Sequence, residues 1–377
     1  MIQNPGILVT IFAFMLVLGP LVFLHELGHY LAGRWFGVKA EEFSIGFGRE
    51  VAGFTDRRGT RWKFGWLPLG GYVRFAGDMN PASQPSPEWL SLPAQQRAQT
   101  FQAKPLWQRA IIVAAGPIMN FLVAIAILGA FAVAFGQNVT PPVVGQVDPA
   151  GAAAHAGLQA GDRITTLDGR RIDDFRDLQL FTALRAGETV TIAFERGGQE
   201  RSVAATIGTL KEKDRFGNIS TRGVLGFYGV RPVMQPVALW EAPVVGLTQT
   251  IDIVRTTVEG LKRIILGRIP VSELGGPLKI AQVSGQSLAM GPLELVYLIA
   301  LISINLGFIN LLPVPVLDGG HLLFYAVEAV RRRPVEPQVM EWAYRGGLVA
   351  ILALMLFVTF NDLGAFGVWR SLAGLIG

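Results

Sequence analysis

Four stretches of the chain are almost continuously apolar, at about residues 7–31, 110–135, 293–313 and 346–367. Each is long enough to cross a hydrocarbon layer, which takes roughly 20 helical residues. Being apolar all round, they predict four transmembrane helices. The first follows the head "MIQNPG", which holds no Lys or Arg, and no small-residue cleavage site follows the run. It therefore reads as a retained span rather than a signal peptide.

The pattern between the spans is different. Residues 43–75 carry short half-apolar runs around "DRRG", a turn signal, which predicts a β-hairpin, with "LPLGGYVRF" as a further extended piece. Residues 78–104 are rich in Pro, Ser and Gln and read as an irregular linker. Residues 142–208 alternate turn signals with short β-type runs; "DLQLFTALRA" at 177–186 reads as a helix, and a hairpin turns at Gly197 and Gly198. In 246–268, Leu247, Ile251, Val254, Val258, Leu261 and Ile265 fall at spacings of 4, 3, 4, 3 and 4, while Asp252, Arg255, Glu259, Lys262 and Arg263 lie mainly off that stripe. An amphipathic helix along the outer membrane surface fits this; packing against the neighbouring outside domain competes with it.

Composition agrees with a membrane protein. Of 377 residues, 51% are hydrophobic and only 16% charged, with a positive mean hydropathy. The net charge of +5 sits mostly in short loops and does not suggest nucleic-acid binding. The absence of cysteine excludes disulfides, thiolate metal sites and cysteine nucleophiles. Residues 34–109 hold 11 Lys and Arg, and "RRR" stands at 331–333. Retention of positive charge on the cytoplasmic side then places these loops inside, and both termini and segment 137–292 outside.

The chemistry lies in "VFLHELGHYLAG" at 22–33. Residues i and i+4 share a helix face, so His25 and His29 present two imidazoles to one point, with Glu26 beside them. This H-E-x-x-H spacing suits two zinc ligands and a general base. Two buried histidines hydrogen-bonded to a neighbouring helix would also satisfy the pattern, but ionisable groups within a span are expensive and mark functional sites. A third ligand must come from another span at the same depth. "NLLPVPVLDGGHLL" at 310–323 offers Asp318 near the inner end of the third span, with His321 as the competing ligand. The prolines and glycines of this stretch also read as a helix-ending turn. His155 lies in the outside segment and reads as a surface residue.

"HELGH" paired with a late "NLLPVPVLDGG" resembles the site-two protease family of intramembrane zinc metalloproteases, most of all its bacterial regulator-of-sigma-E branch. The resemblance covers nearly the whole chain. It implies one zinc ion per chain held by His25, His29 and Asp318, with Glu26 as catalytic base. It implies substrate contacts from Asn310, Pro315, Gly46, Gly48, Gly70 and Gly71, the "GFG" at 46–48 resembling a glycine motif of a membrane-entering β-loop. "AAGPIMNF" at 114–121 resembles another family segment, in which the role of Asn120 is open. Residues 142–208 resemble a circularly permuted bacterial PDZ domain, with "PVVGQV" or its neighbour as the strand that receives a peptide or a protein C-terminus. The branch carries two such domains in tandem; one is legible here.

The expected fold is a polytopic α-helical membrane protein of four spans, with a membrane-associated β-hairpin loop and one extracytoplasmic α+β PDZ domain. Its divisions fall at 1–35, 36–109, 110–136, 140–210, 211–292, 293–322 and 343–367. The expected setting is the bacterial inner membrane, with lipid and single-span proteins as partners: anti-sigma factors and remnant signal peptides. A silent PDZ scaffold and a metal transporter are the competing functions.

Overall fold

The computed structural model describes residues 6–77, 92–183, 185–213, 219–266 and 275–365. Most of the predicted linker, residues 78–91, lies outside that range. In chain order the elements begin with α1 (Ile7–Trp35), β1 (Ala40–Thr55), β2 (Arg61–Phe75), α2 (Ala94–Arg97) and α3 (Leu106–Phe135). Then come β3 (Gln137–Val139), β4 (Val144–Val147), α4 (Ala152–His155), β5 (Arg163–Leu167), β6 (Arg170–Arg171) and α5 (Phe175–Ala183). They are followed by β7 (Thr189–Arg196), β8 (Gln199–Thr206), β9 (Gly208–Lys213), β10 (Ile219–Val224), β11 (Phe227–Gly229) and β12 (Val233–Gln235). The chain returns to helix in α6 (Ala242–Ile265), α7 (Pro277–Met290), α8 (Pro292–Asn310), α9 (Asp318–Arg331) and α10 (Pro337–Ala365). Two compact units result: residues 1–130 with 243–377, and residues 131–242.

In the first unit, α1, α3, α8 and α10 are long and apolar enough to cross a membrane. Val17 and Leu21 of α1 pack against Leu295 of α8, and Ala124 and Leu128 of α3 against Ala300 and Ile304 of α8. The third span stops at Asn310, short of the expected boundary, because Pro313 and Pro315 follow in the chain and cannot extend the helix. The "LDGG" stretch opens a separate helix, α9, after a seven-residue turn at 311–317.

The predicted hairpin is more folded than its sequence suggests. Both strands bend, so that residues 42–45 pair with 71–74 on one side and with 61–64 on the other, while 50–55 pair with 61–65. Two strands thus build a four-ply sheet. Asp56 closes the turn by accepting the amides of Arg58 (2.8 Å) and Thr60 (2.9 Å). Glu42, in an inner ply, bridges both neighbours: Lys63 at 2.6 Å, Tyr72 Oη at 2.9 Å and Arg74 at 2.9 Å. Burial alone would raise its carboxyl pKa; the donors from Lys63 and Tyr72 and the charges of Arg74 and Lys63 hold it below the usual value.

Helix α6 packs against α3 and α8 within the first unit. Gly246 lets its backbone approach the Ile125 carbonyl, Thr250 is buried, Ile253 and Val254 join the Ala124–Ile304 cluster, and Thr257 reaches Asn305 at 3.4 Å. Leu247, Ile251, Val258 and Ile265 from the predicted stripe stay exposed. Helices in lipid associate through small residues and hydroxyls rather than through their greasiest face. Of the predicted stripe, Val254 joins that contact.

The second unit holds a four-stranded sheet in the order β6-β5-β7-β8, with Gly197 and Gly198 at the β7–β8 turn, both at positive φ. Its core joins Ile164, Leu167, Ile192 and Phe194 to Leu178 and Phe181 of α5. The unit runs past the expected end at 210. After the β9–β10 hairpin, β11 returns to pair with β4, and Leu225 enters the core. Among the described residues no second copy of this unit is present.

Candidate metal centre

In α1, His25 and Glu26 are buried near one end of the span, and His29 follows one turn later. Asp318 is the first residue of α9. The turn that delivers it holds Val316 at φ +88°, a conformation that β-branched residues rarely adopt. Such strain persists only where surrounding structure over-determines it.

The three side chains converge on one point. His25 Nε2 and His29 Nε2 are 3.3 Å apart, and Asp318 Oδ2 lies 3.2 Å from the first and 3.5 Å from the second. Ligands about 2.0–2.1 Å from a tetrahedral zinc ion are about 3.3 Å from one another. Asp318 Oδ2 is buried without a properly directed hydrogen bond. Two imidazole nitrogens and a carboxylate aimed at one point make a donor set that fits zinc.

Helix α3 supplies the other side of the arrangement. His29 Nδ1 is 2.9 Å from the Ile112 carbonyl. A carbonyl only accepts, so Nδ1 carries the hydrogen and Nε2 keeps its lone pair. The ring stands directly over Gly116, where any Cβ would collide with it. One turn on, Asn120 Nδ2 lies 3.0 Å from His25 Nδ1. Gly116 and Asn120 are four residues apart, as His25 and His29 are, so "AAGPIMNF" on one helix is the matching face of "HELGH" on the other. Neither role was legible locally; the equal i, i+4 spacing was the available signal.

A cavity of about 260 Å³ opens over the cluster. Glu26, Asn310 and His321 line it, as do Gly70, Gly71, Tyr72, Val73 and Phe75 of β2. Residues 71–75 form an outer ply of the β1–β2 sheet, with no partner strand on the other side among the described residues. Gly46 and Gly48 are not brought to the cavity; both sit at positive φ in the bend of β1. Pro315 is outside the lining too, against Gly347 of α10. His321 turns to Tyr344, whose hydroxyl lies 2.7 Å from Nδ1, and is not part of the convergent triad. His155 is in the second unit, on the carbonyl of Gly151.

The second unit has its own cavity, of about 220 Å³, between Phe175, Leu178, Gln179 and Thr182 of α5 and the run Leu225–Tyr228. The strand beside the groove is β11, the neighbour of the expected "PVVGQV".

Comparison with known proteins shows the family. The model of Peptidase family M50 matches residues 13–354. A candidate zinc metalloprotease of Mesorhizobium japonicum is 44% identical over 94% of this chain and 98% of its own length. Metalloprotease MmpA of Caulobacter vibrioides is 37% identical over 98% of this chain and 99% of its own. Among solved structures, the PDZ domain of an SdrC-like protein of Listeria monocytogenes aligns with 24% of this chain and 88% of its own, at 23% identity and a TM-score of 0.19.

Proposed function

This chain belongs to peptidase family M50 and is a multi-pass membrane metalloprotease, and from that premise we propose that it cuts single-span membrane proteins within the bilayer. The observation that carries the proposal is the convergence of His25, His29 and Asp318 beneath a cavity roofed by a strand edge.

His25, His29 and Asp318 would hold one zinc ion per chain. When bound, it supplies Lewis-acid polarisation of the scissile carbonyl and a water acidic enough to ionise near neutral pH. Glu26, in the cavity wall, would take the proton from the attacking water and return it to the departing amine. An amide inside a helix is hidden in its own hydrogen bonds, so the substrate must be extended first. The free edge of 71–75 can hold the extended segment by strand addition, with Gly70 and Gly71 keeping the approach open. Asn310 stands in the lining where a polar side chain can meet the substrate backbone.

The basic loops support a site near the cytoplasmic face of a bacterial inner membrane, with both termini and residues 137–242 on the outer side. The second unit is a PDZ domain whose groove, between α5 and β11, takes an extended peptide or a C-terminus. By family resemblance the substrates are anti-sigma factors and remnant signal peptides.

The test uses purified protein and a single-span reporter. Wild type should cut it, Glu26→Gln should not, and both should retain about one zinc, as a three-ligand site predicts. Cleavage by Glu26→Gln at the wild-type rate would remove the mechanism.

A further inference from the structure

We propose that Asn120 is a positioning residue that fixes which nitrogen of His25 is free to bind metal. The inference rests on the zinc-site reading above and deepens it.

Asn120 is completely buried in α3, and the Ser303 hydroxyl donates to its backbone carbonyl at 2.8 Å, tying this turn to α8. Its carboxamide meets His25 Nδ1 at 3.0 Å, while Oδ1 is buried without a hydrogen-bond partner. No other bond therefore decides which end of the amide faces the ring. The two ends exchange by a half-turn that leaves the heavy-atom outline unchanged, so the assignment must come from the ring.

The ring makes the choice. His25 Nε2 points at His29 Nε2 and Asp318 Oδ2. To act as a ligand it needs its lone pair there, which puts the single ring hydrogen on Nδ1. The amide atom facing Nδ1 must then accept, so Oδ1 turns to the ring. With Nδ2 facing it, Nδ1 would have to accept, the hydrogen would sit on Nε2, and His25 could not ligate. His29 has its tautomer set by a carbonyl that can only accept. Asn120 does for His25 what the Ile112 carbonyl does for His29. Partners of this kind orient the ligand and raise its basicity.

The test is zinc affinity, measured by chelator competition on full-length protein in detergent. Asn120→Leu, which has no acceptor, should bind zinc about 10–100-fold more weakly. Asn120→Asp, which only accepts, should stay near wild type. His25→Ala serves as the loss-of-ligand control. Thermal unfolding of each zinc-free protein checks the fold, and if Asn120→Leu fails it, Asn120→Ala carries the same expectation. Wild-type affinity in Asn120→Leu, or equal weakness in Asn120→Asp, would overturn the inference while leaving the zinc site standing. An unchanged affinity in His25→Ala would overturn the zinc site, and the inference with it.

Discussion

Two aspartates, one in each unit, show how the same group can be set among different partners. Asp162 in the second unit is almost fully buried and fully answered: Arg196 donates to both oxygens at 2.6 Å and the Gln159 amide adds a third bond at 2.8 Å. Asp318 in the first unit faces two imidazoles, and its Oδ2 lacks a directed bond. A buried carboxylate needs a positive partner. Asp162 finds one in its own unit, in Arg196 at the end of β7, the strand that pairs with β5. Asp318 instead meets two imidazole nitrogens, a donor set that fits a metal ion.

The largest expected effects break this contrast at the first unit. Asp318→Asn should abolish both zinc retention and cleavage, whereas Glu26→Gln should lower cleavage by at least about 10²–10⁴-fold, the range for loss of a general base, with zinc unchanged. Metal analysis and reporter cleavage on the same samples separate the two roles. Equal zinc loss in both variants would make Glu26 a ligand.

Next is Gly116→Ala. The new methyl would occupy the space of the His29 ring, and such overpacking typically costs about 1–3 kcal/mol. Zinc affinity should fall with it, read by chelator competition; an unchanged affinity would mean that His29 does not sit over α3 as described. Gly71→Ala is subtler. Its Cβ would lie 2.9 Å from Glu26 Cγ and 2.7 Å from the Ser44 carbonyl. Cleavage should drop while zinc stays, because base and strand edge are disturbed but the ligands are not.

The smallest effect belongs to Asp162. Burial alone would raise its carboxyl pKa, but the hydrogen bonds and charge of Arg196 and the Gln159 amide hold it below the usual carboxylate range. A folded pKa below the unfolded one gives stability that is present above about pH 4, the ordinary aspartate value, and lost as pH falls through the folded value. The protection of β7 and β8 amides against hydrogen exchange, relative to the intrinsic rate at each pH, should therefore fall on acidification in the wild type. Asp162→Asn should be weaker at neutral pH and flatter below it. A parallel pH response in the variant would assign the effect to other groups.

Much of this was legible in sequence because it is periodic or local. Continuous apolar runs announced the spans, and His25, Glu26 and His29 share one helix turn. What stayed hidden depends on contacts far apart in the chain. Asn120 meets His25 across 95 positions, and nothing near Asn120 says so. The strand beside the groove, β11, is the neighbour of "PVVGQV" but comes after the β9–β10 hairpin, so a reading that ended at 210 could not say where in the chain that neighbour lies. Asp318 was found, but as part of a span; Pro313 and Pro315 instead end that span, and Asp318 starts its own helix. In α6 the contacts with α3 and α8 run through Gly246 and Thr257, which the apolar stripe does not announce.

The most direct measurement is zinc K-edge X-ray absorption on the purified protein. Two imidazoles with oxygen making up the remaining ligands, at about 2.0–2.1 Å, is the result expected of His25, His29 and Asp318. A third imidazole in the shell, bringing His321 in place of Asp318, or no bound zinc at all, would contradict the account.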